Sequence, residues 1–466
     1  MKKPKVLFAV SEAVPFAKTG GLADVAAALP SALRRAGVDM RVIMPKYSDI
    51  PEKYKNRMKP LCDFELRLGW RRLYCGIEKL ILGNVPFYFV DNEFYYARDG
   101  IYGHYDDGER FAFFSKAVVE SIRRLPELQC KILHCNDWQS ALAPVFLREL
   151  YRDLPEYENV KTVLTVHNLK FQGRMQPFAM GDVLGLSGIK AAEDQLMESD
   201  SINVLKGGLC YSDILTTVSP SYAEEIKTRF YGEGLEAVFR RRSSVLHGIL
   251  NGIDVRLCPP PKDKEEAKAS LCKELGFSEC KDLPLIAMVG RLTEQKGLDL
   301  VDYAMHRIMA MDVKMAVLGS GETRYEDMFR YYEAMYPDKL RARIGFDEAL
   351  SLRMYAGSDI FLMPSLFEPC GLSQLMAMRC GSLPVVRETG GLRDSVKPYN
   401  KYTGEGTGFS FANINADEMA SVLEKAVSLY KEEPERWALL RSNAMAADFG
   451  WERSAEEYKK LYAELV

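Results

Sequence analysis

The chain has 466 residues, of which 47% are hydrophobic and 27% charged, and its 62 basic and 65 acidic side chains give a formal net charge of -3. That length exceeds one ordinary core, since domains usually run about 100–200 residues, so two or three domains are expected. The balanced charge leaves no basic excess to hold a nucleic-acid backbone, and no stretch approaches the roughly 20 apolar residues of a membrane span, so neither partner is expected.

Met1-Lys2-Lys3-Pro4 runs straight into a short apolar segment, too short for a secretory h-region, and a cytoplasmic protein is expected. Short apolar strands then alternate with amphipathic helices, the pattern of parallel α/β sheets. In the first half the strands are expected at Lys5–Val10, Met40–Met44, Ile132–His134, Thr162–His167 and Ile214–Val218. Helices are expected at Leu22–Arg35, Gly108–Arg124, Gln139–Tyr151 and Ser221–Arg229. Cys75–Val90 differs, with two strand-like runs around Gly83-Asn84, and reads as a hairpin on the sheet edge.

A second series of strands follows at Leu285–Val289, Lys314–Leu318, Arg343–Gly345, Ile360–Met363 and Leu383–Val386. Helical stretches lie between them at Gly297–Met309, Thr323–Met335, Asp347–Ala356 and Cys370–Arg379. The run Pro259-Pro260-Pro261-Lys262-Asp263-Lys264 suits an exposed linker joining the two series. Two doubly wound α/β lobes with a cleft between them are therefore expected, with ligands outside the carboxyl ends of the strands. The last segment, Trp451–Leu465, is amphipathic and could pack on either lobe.

Ten cysteines are scattered without a C-x-x-C pair, and they read as reduced core thiols rather than a disulfide framework. With five histidines, none paired at helical spacing, no protein-held metal is expected.

Lys18-Thr19-Gly20-Gly21-Leu22-Ala23-Asp24-Val25 stands where the first strand hands over to a helix. Free N–H groups at a helix start favour an anion, and glycine lets it approach the main chain closely. The plainer alternative is a glycine turn with a solvated lysine. Gly290-Arg291-Leu292-Thr293-Glu294-Gln295-Lys296-Gly297 repeats the arrangement after strand Leu285–Val289. Helix dipoles supply only about 0.3–1 kcal/mol at exposed positions, so Arg291 and Lys296 would have to dominate any diphosphate site.

In Phe367-Glu368-Pro369-Cys370-Gly371-Leu372 the N–H groups of Cys370, Gly371 and Leu372 would lie at a helix start. Glu368, just outside, could accept from sugar hydroxyls or simply complement the helix dipole. Thr162–His167 ends in His167 and Asn168, and Leu133–Trp138 offers Asp137 and Trp138 to a polar ring-shaped ligand, although core packing would also explain the tryptophan. No G-x-G-x-x-G opens the first helix and no G-x-x-x-x-G-K-[ST] is present, which disfavours dinucleotide redox and P-loop hydrolysis.

Together these strings resemble the bacterial and plant glycogen (starch) synthase family of retaining glycosyltransferases, over nearly the whole chain. Further matches are Ser11-Glu12, Asp107–Phe111, Thr217–Pro220, Asn251–Asp254, Thr389–Leu392 and Trp451. The resemblance implies a GT-B fold of two Rossmann-like domains, 1–254 on the acceptor side and 255–448 for the nucleotide sugar, with a C-terminal helix at 449–466 crossing back onto the first. It implies transfer of glucose from ADP-glucose to the non-reducing 4-OH of an α-1,4-glucan, with no cofactor beyond the sugar nucleotide.

By matching motif, Lys18, beside Gly20 and Gly21, would contact the sugar nucleotide, Arg291 and Lys296 its phosphates, and His167 and Glu368 would surround the glucosyl unit. Closure of the two lobes would bring the three cations around one diphosphate. The chain departs from the family pattern at Gln139, Lys170 and Ser373, at Val255-Arg256-Leu257-Cys258-Pro259 after Asp254, and at Met376, where many related transferases carry a second glutamate. A related transferase using another acceptor, or a catalytically silent glucan-binding homologue, are the other readings.

Overall fold

The structure is a computed structural model that describes residues 3–278 and 280–466. The chain forms two compact units, one of residues 1–252 with 451–466 and one of residues 253–450.

The first unit is built on a nine-stranded sheet. Its strands in chain order are β1 (Lys5–Ala9), β2 (Asp39–Pro45), β3 (Lys59–Leu68), β4 (Arg71–Leu82), β5 (Val85–Asp91), β6 (Ile132–Asn136) and β7 (Lys161–Val166). Three short strands, β8 (Arg174–Met175), β9 (Met197–Glu198) and β10 (Ser201–Asn203), make a separate small sheet, and β11 (Ile214–Thr217) and β12 (Leu246–Gly248) complete the large one. The large sheet runs β12-β11-β7-β6-β1-β2-β5-β4-β3. Its middle strands pair in parallel and are buried almost throughout, as strands covered on both faces must be.

The expected hairpin turns at Gly83-Asn84 and joins β4 to β5. Strand β3, which was not expected, pairs antiparallel with β4 along the edge. Its period of two is visible in hindsight: Phe64, Leu66 and Leu68 are buried while Asp63, Glu65 and Arg67 face out.

The helix Trp451–Leu465 packs against the helix Gly21–Arg35 within this unit. Its anchor is Tyr462, whose hydroxyl lies 2.6 Å from Nδ1 of the fully buried His134 on β6. His134 Nε2 lies 2.6 Å from Thr165 Oγ1, so both ring nitrogens are satisfied inside the core.

The second unit carries a six-stranded parallel sheet of β13 (Leu285–Val289), β14 (Lys314–Gly319), β15 (Leu340–Ile344), β16 (Ile360–Met363), β17 (Leu383–Arg387) and β18 (Phe409–Phe411), ordered β15-β14-β13-β16-β17-β18. The proline-rich run 259–263 is largely exposed, but it lies inside this unit and not at the join. Lys264 opens a helix, Lys264–Leu275, capped by the Asp263 side chain, which accepts from the N–H groups of Glu265 and Glu266. That helix is tied to the sheet by a buried ion pair, Lys268 to Asp359, at 2.8 Å.

The expectation of reduced cysteines throughout is corrected at one place, where Cys272 and Cys280 are joined by a disulfide. The helix ends at Gly276 in the left-handed conformation, and the chain turns back so that two cysteines eight positions apart meet. Nothing in their spacing signals this. No helix among the described residues is long and apolar enough to cross a membrane.

Candidate functional site

The parallel part of each sheet reverses its strand order at its first strand, between β1 and β6 in the first unit and between β13 and β16 in the second. Open α/β sheets leave a crevice at such a point, outside the carboxyl ends of the strands. The candidate residues divide between these two places.

In the first unit, β1 runs into Ser11 and Glu12, and the chain returns through Lys18–Gly21 to start the helix Gly21–Arg35. Glu12 is buried, and one carboxylate oxygen accepts from the Thr19 N–H at 2.5 Å and from the Thr19 hydroxyl at 2.8 Å. Burial raises the Glu12 pKa, against the pull of these donors. Glu12 therefore fixes the glycine turn, leaving Lys18, Gly20 and Gly21 exposed at its surface. Lys18 Nζ sits 2.8 Å from Asp24 Oδ1 on the helix that follows.

Beside it, β6 ends at Asn136, and the next residue, Asp137, takes the left-handed conformation (φ 53) and turns its carboxylate toward the end of β7. Asp137 Oδ1 accepts from the N–H groups of His167 at 2.7 Å and Asn168 at 3.4 Å. Burial nonetheless pushes its pKa up to about 7. Asn136 Nδ2 donates to the Ala9 carbonyl at 3.0 Å, so its Oδ1 faces His167 Nε2 at 2.9 Å. An amide oxygen only accepts, so Nε2 carries the proton and Nδ1 the lone pair. Desolvation drives the His167 pKa down to about 3, and the ring is neutral at pH 7.

The Asn168 side chain caps its own loop by accepting from Lys170 N at 3.1 Å. Trp138 is half-buried, packing edge-on to Phe111 and against Gly173, where any side chain would collide with its ring.

In the second unit three strand-to-helix turns meet main chain to main chain. A Cβ on Gly297, which has φ 70, would stand 2.0 Å from the Pro364 carbonyl oxygen; one on Gly391 would stand 2.1 Å from that of Cys370. The Gly391 N–H donates to the Glu368 carbonyl at 3.1 Å, and Leu366 N–H to that of Gln295 at 2.8 Å. The buried Arg387 donates to the Ser365 carbonyl at 2.8 Å.

On this frame Lys296 Nζ lies 2.6 Å from Glu368 Oε2, which also accepts from the Ser365 hydroxyl at 3.0 Å. Glu368 is thus buried and engaged, whereas the sequence places it just outside a helix. Its Oε1 has no partner among the described residues. Arg291 is exposed and makes no ion pair among them. It lines, with Gly290, Lys296, Pro364 and Ser365, a small pocket at the ends of β13 and β16.

The helix expected from Cys370 starts only at Ser373. Gly371 takes φ 71, and Cys370, Gly371 and Leu372 form the turn before it, held by the Gln374 side chain, whose Nε2 donates to the Cys370 and Gly371 carbonyls. Glu12, Asn136, Ser365, Gln374 and Arg387 went unassigned because each acts by holding a turn, and holding has no signature in spacing.

A family profile described as "Starch synthase catalytic domain" matches residues 5–241, and one described as "Glycosyl transferases group 1" matches residues 277–439. The glycogen synthase of Desulforamulus reducens is 49% identical over 476 aligned residues, covering 99% of each chain. That of Geobacillus stearothermophilus is 48% identical, covering 99% of this chain and 98% of its own. Among solved structures, the catalytic domain of starch synthase IV from Arabidopsis thaliana, bound to ADP and acarbose, superposes with a TM-score of 0.90 at 32% identity, covering 100% of this chain and 99% of the other. Sucrose-phosphate synthase from Thermosynechococcus elongatus shares the fold at a TM-score of 0.62 and 19% identity. Two doubly wound α/β units and this likeness along the full length make the fold GT-B, and the chain belongs to the glycogen and starch synthase family of glycosyltransferases.

Proposed function

We propose that the protein transfers glucose from ADP-glucose to the non-reducing 4-OH of an α-1,4-glucan with retention of configuration, acting in the cytoplasm. The observation that carries this reading is the Lys296–Glu368 pair beside the exposed Arg291, on turns at the strand-order reversal of the second sheet. Arg291 and Lys296 hold the donor's diphosphate and stabilise the charge that grows on it as the glycosidic bond breaks. A well-placed donor to such developing charge is worth about 2.7–4 kcal/mol. The N–H groups of Cys370, Gly371 and Leu372 face the same anion, while Lys18 with Gly20 and Gly21 gives the first unit its own anion-contacting turn.

Glu368 uses Oε1 to accept from a hydroxyl of the transferred glucose while Lys296 and Ser365 keep Oε2 in place. His167, Asn168 and Asp137 shape the sugar pocket. With a pKa of about 3, His167 is a poor proton acceptor at neutral pH. The leaving phosphate itself then takes the acceptor's proton on the face it departs from, which preserves configuration without a covalent intermediate. The likeness to a starch synthase bound to ADP and acarbose supports both ligand classes.

The test is incorporation of labelled glucose into glycogen, with ADP-glucose and UDP-glucose compared side by side. ADP-glucose should be the better donor by kcat/KM. A preference for UDP-glucose would overturn the donor, transfer to monosaccharides but not to glycogen would overturn the acceptor, and no release of ADP with any acceptor would leave a silent glucan-binding protein.

A further inference from the structure

Eight cysteines lie outside the disulfide, and two of them, Cys258 and Cys380, meet in the second unit with their sulfurs 2.9 Å apart. They are 2% and 1% exposed and lie 122 positions apart in the chain. Cys258 stands just after the point where the chain passes into this unit, on the stretch that departs from the family pattern. Cys380 ends the helix Ser373–Arg379, which leads directly from the turn bearing Glu368 and Cys370.

Two cations frame the pair. Arg379 Nε donates to the Cys258 carbonyl at 3.1 Å, and Lys264 Nζ to the Cys380 carbonyl at 3.1 Å. A disulfide needs sulfurs about 2.05 Å apart, so closing the pair asks for a movement of about 1 Å, small for two chain segments that each end an element.

We propose that Cys258 and Cys380 are a reversible dithiol–disulfide site, closed by a peroxide and reopened by a small dithiol, whose closure slows turnover by pulling on the helix behind the Glu368 turn. The effect on turnover rests on the proposed function; the covalent site does not.

The hydrogen bond from the Cys380 thiol, helped by the charge of Arg379, holds the Cys258 pKa below the ordinary thiol value, and a thiolate is the nucleophile in such chemistry. The Cys258 thiolate attacks one peroxide oxygen. The S–O bond forms, the O–O bond breaks, and hydroxide leaves and is protonated to water. Cys380 then attacks the sulfenic sulfur. The S–S bond forms, the S–O bond breaks, and the departing hydroxide takes the Cys380 proton, giving a second water. Two thiols and one peroxide thus become one disulfide and two waters, and a dithiol returns both electrons by exchange. Local opening admits so small an oxidant to buried sulfurs.

The experiment treats the purified full-length protein with hydrogen peroxide, alkylates the remaining thiols and maps peptides by mass, with activity measured in parallel. The expected result is a peptide joining Cys258 to Cys380, lighter by two hydrogens and released by dithiothreitol, with a several-fold fall in kcat that the same reductant reverses. Cys258→Ser should keep the untreated activity and lose the response, and Cys380→Ala should do the same. The site is overturned if both cysteines stay open to alkylation after peroxide. The regulatory half is overturned if the link forms and kcat is unchanged, or if Cys258→Ser is inhibited as strongly as the parent. Cys272–Cys280 yields a different linked peptide and is scored apart.

Discussion

The two glycine turns that follow β1 and β13 look alike in sequence, one with a single cation and the other with two, and each with two glycines between a strand and a helix, yet they are held in different ways. The first hangs on one side chain: Glu12 accepts from both the N–H and the hydroxyl of Thr19, and a Cβ on Gly20 would come no nearer than 3.8 Å to anything. The second is wedged between backbones, with Gly297 against Pro364. A similar motif thus tolerates substitution in one unit and forbids it in the other, and the difference lies in what surrounds the turn.

The strongest way to break the second arrangement is Gly297→Val. Strain at a positive φ and overlap with a carbonyl each cost about 1–3 kcal/mol, so the second unit should lose about 3 kcal/mol or more and turnover with it. Hydrogen exchange followed segment by segment would show protection falling in residues 285–387 and holding in β1 to β7. Uniform loss across both units would contradict the division.

Next come the two cations of that turn. Arg291→Ala and Lys296→Ala should each lower kcat about 100-fold, the scale of one lost donor to developing charge. They separate on stability. Arg291 makes no ion pair among the described residues, so its loss should leave the melting temperature in place. Lys296→Ala strands the buried Glu368 carboxylate with only Ser365, at about 1–3 kcal/mol. Near-normal rates in both variants would remove the diphosphate from this turn.

Asp137 sharpens the comparison through pH, because the first unit relies on buried carboxylates. Its pKa is about 7 folded and 3.8 as a free side chain, so between those values the folded state holds a proton that the unfolded chain has released. Stability therefore falls as pH rises from about 4 through 7, by a few kcal/mol at most, since one pKa unit is about 1.4 kcal/mol. His134 and His167 act oppositely. Their folded values of about 3 lie below the ordinary 6.5, so their contribution is whole above pH 6.5 and fades as pH drops toward 3. Asp137→Asn keeps an oxygen for the His167 N–H and removes the falling contribution, so stability should climb more steeply between pH 4 and 6.5 in the variant than in the parent, where Asp137 offsets part of the histidines' rise. Urea titrations at pH 5, 6, 7 and 8 would check it, and parallel profiles for parent and variant would refute it.

Tyr462→Phe removes the hydroxyl beside His134 Nδ1 and leaves a buried ring nitrogen unpaired, at about 1–3 kcal/mol in the first unit alone. Exchange should quicken in the helix Trp451–Leu465 and in β6 and leave β13 to β17 unchanged.

Much of this was legible in the chain itself. Alternating apolar runs and amphipathic stretches gave two α/β series, and the Gly83-Asn84 hairpin was visible from its turn residues. Long-range pairing was not. Strand β3 hid behind its alternating charges, the proline-rich run looked like a join although Asp263 caps a helix there, and no spacing rule brings Cys258 to Cys380 or Tyr462 to His134. At the site, residues that present charge at strand ends could be named, because their position follows from local pattern. Those that hold the turns could not, because Glu12 or Arg387 is recognised only once the fold places its partners.

Gly20→Ala is the smallest expected effect and the most discriminating. Gly20 has φ -156, an extended conformation open to any residue, and free space where the methyl would go, so stability should change by no more than about 0.5 kcal/mol. If an anion approaches this turn, the methyl stands in its way, and the KM for the sugar nucleotide should rise with the melting temperature unmoved. If KM is also unmoved, the glycine serves the chain alone, and the exposed Lys18 is a surface cation paired with Asp24. Repeating the measurement in Glu12→Gln, which weakens the acceptor of the Thr19 N–H and hydroxyl, separates the two cases further. A ligand role predicts that loosening the turn raises KM in the same direction, whereas a purely structural turn would show itself only in unfolding.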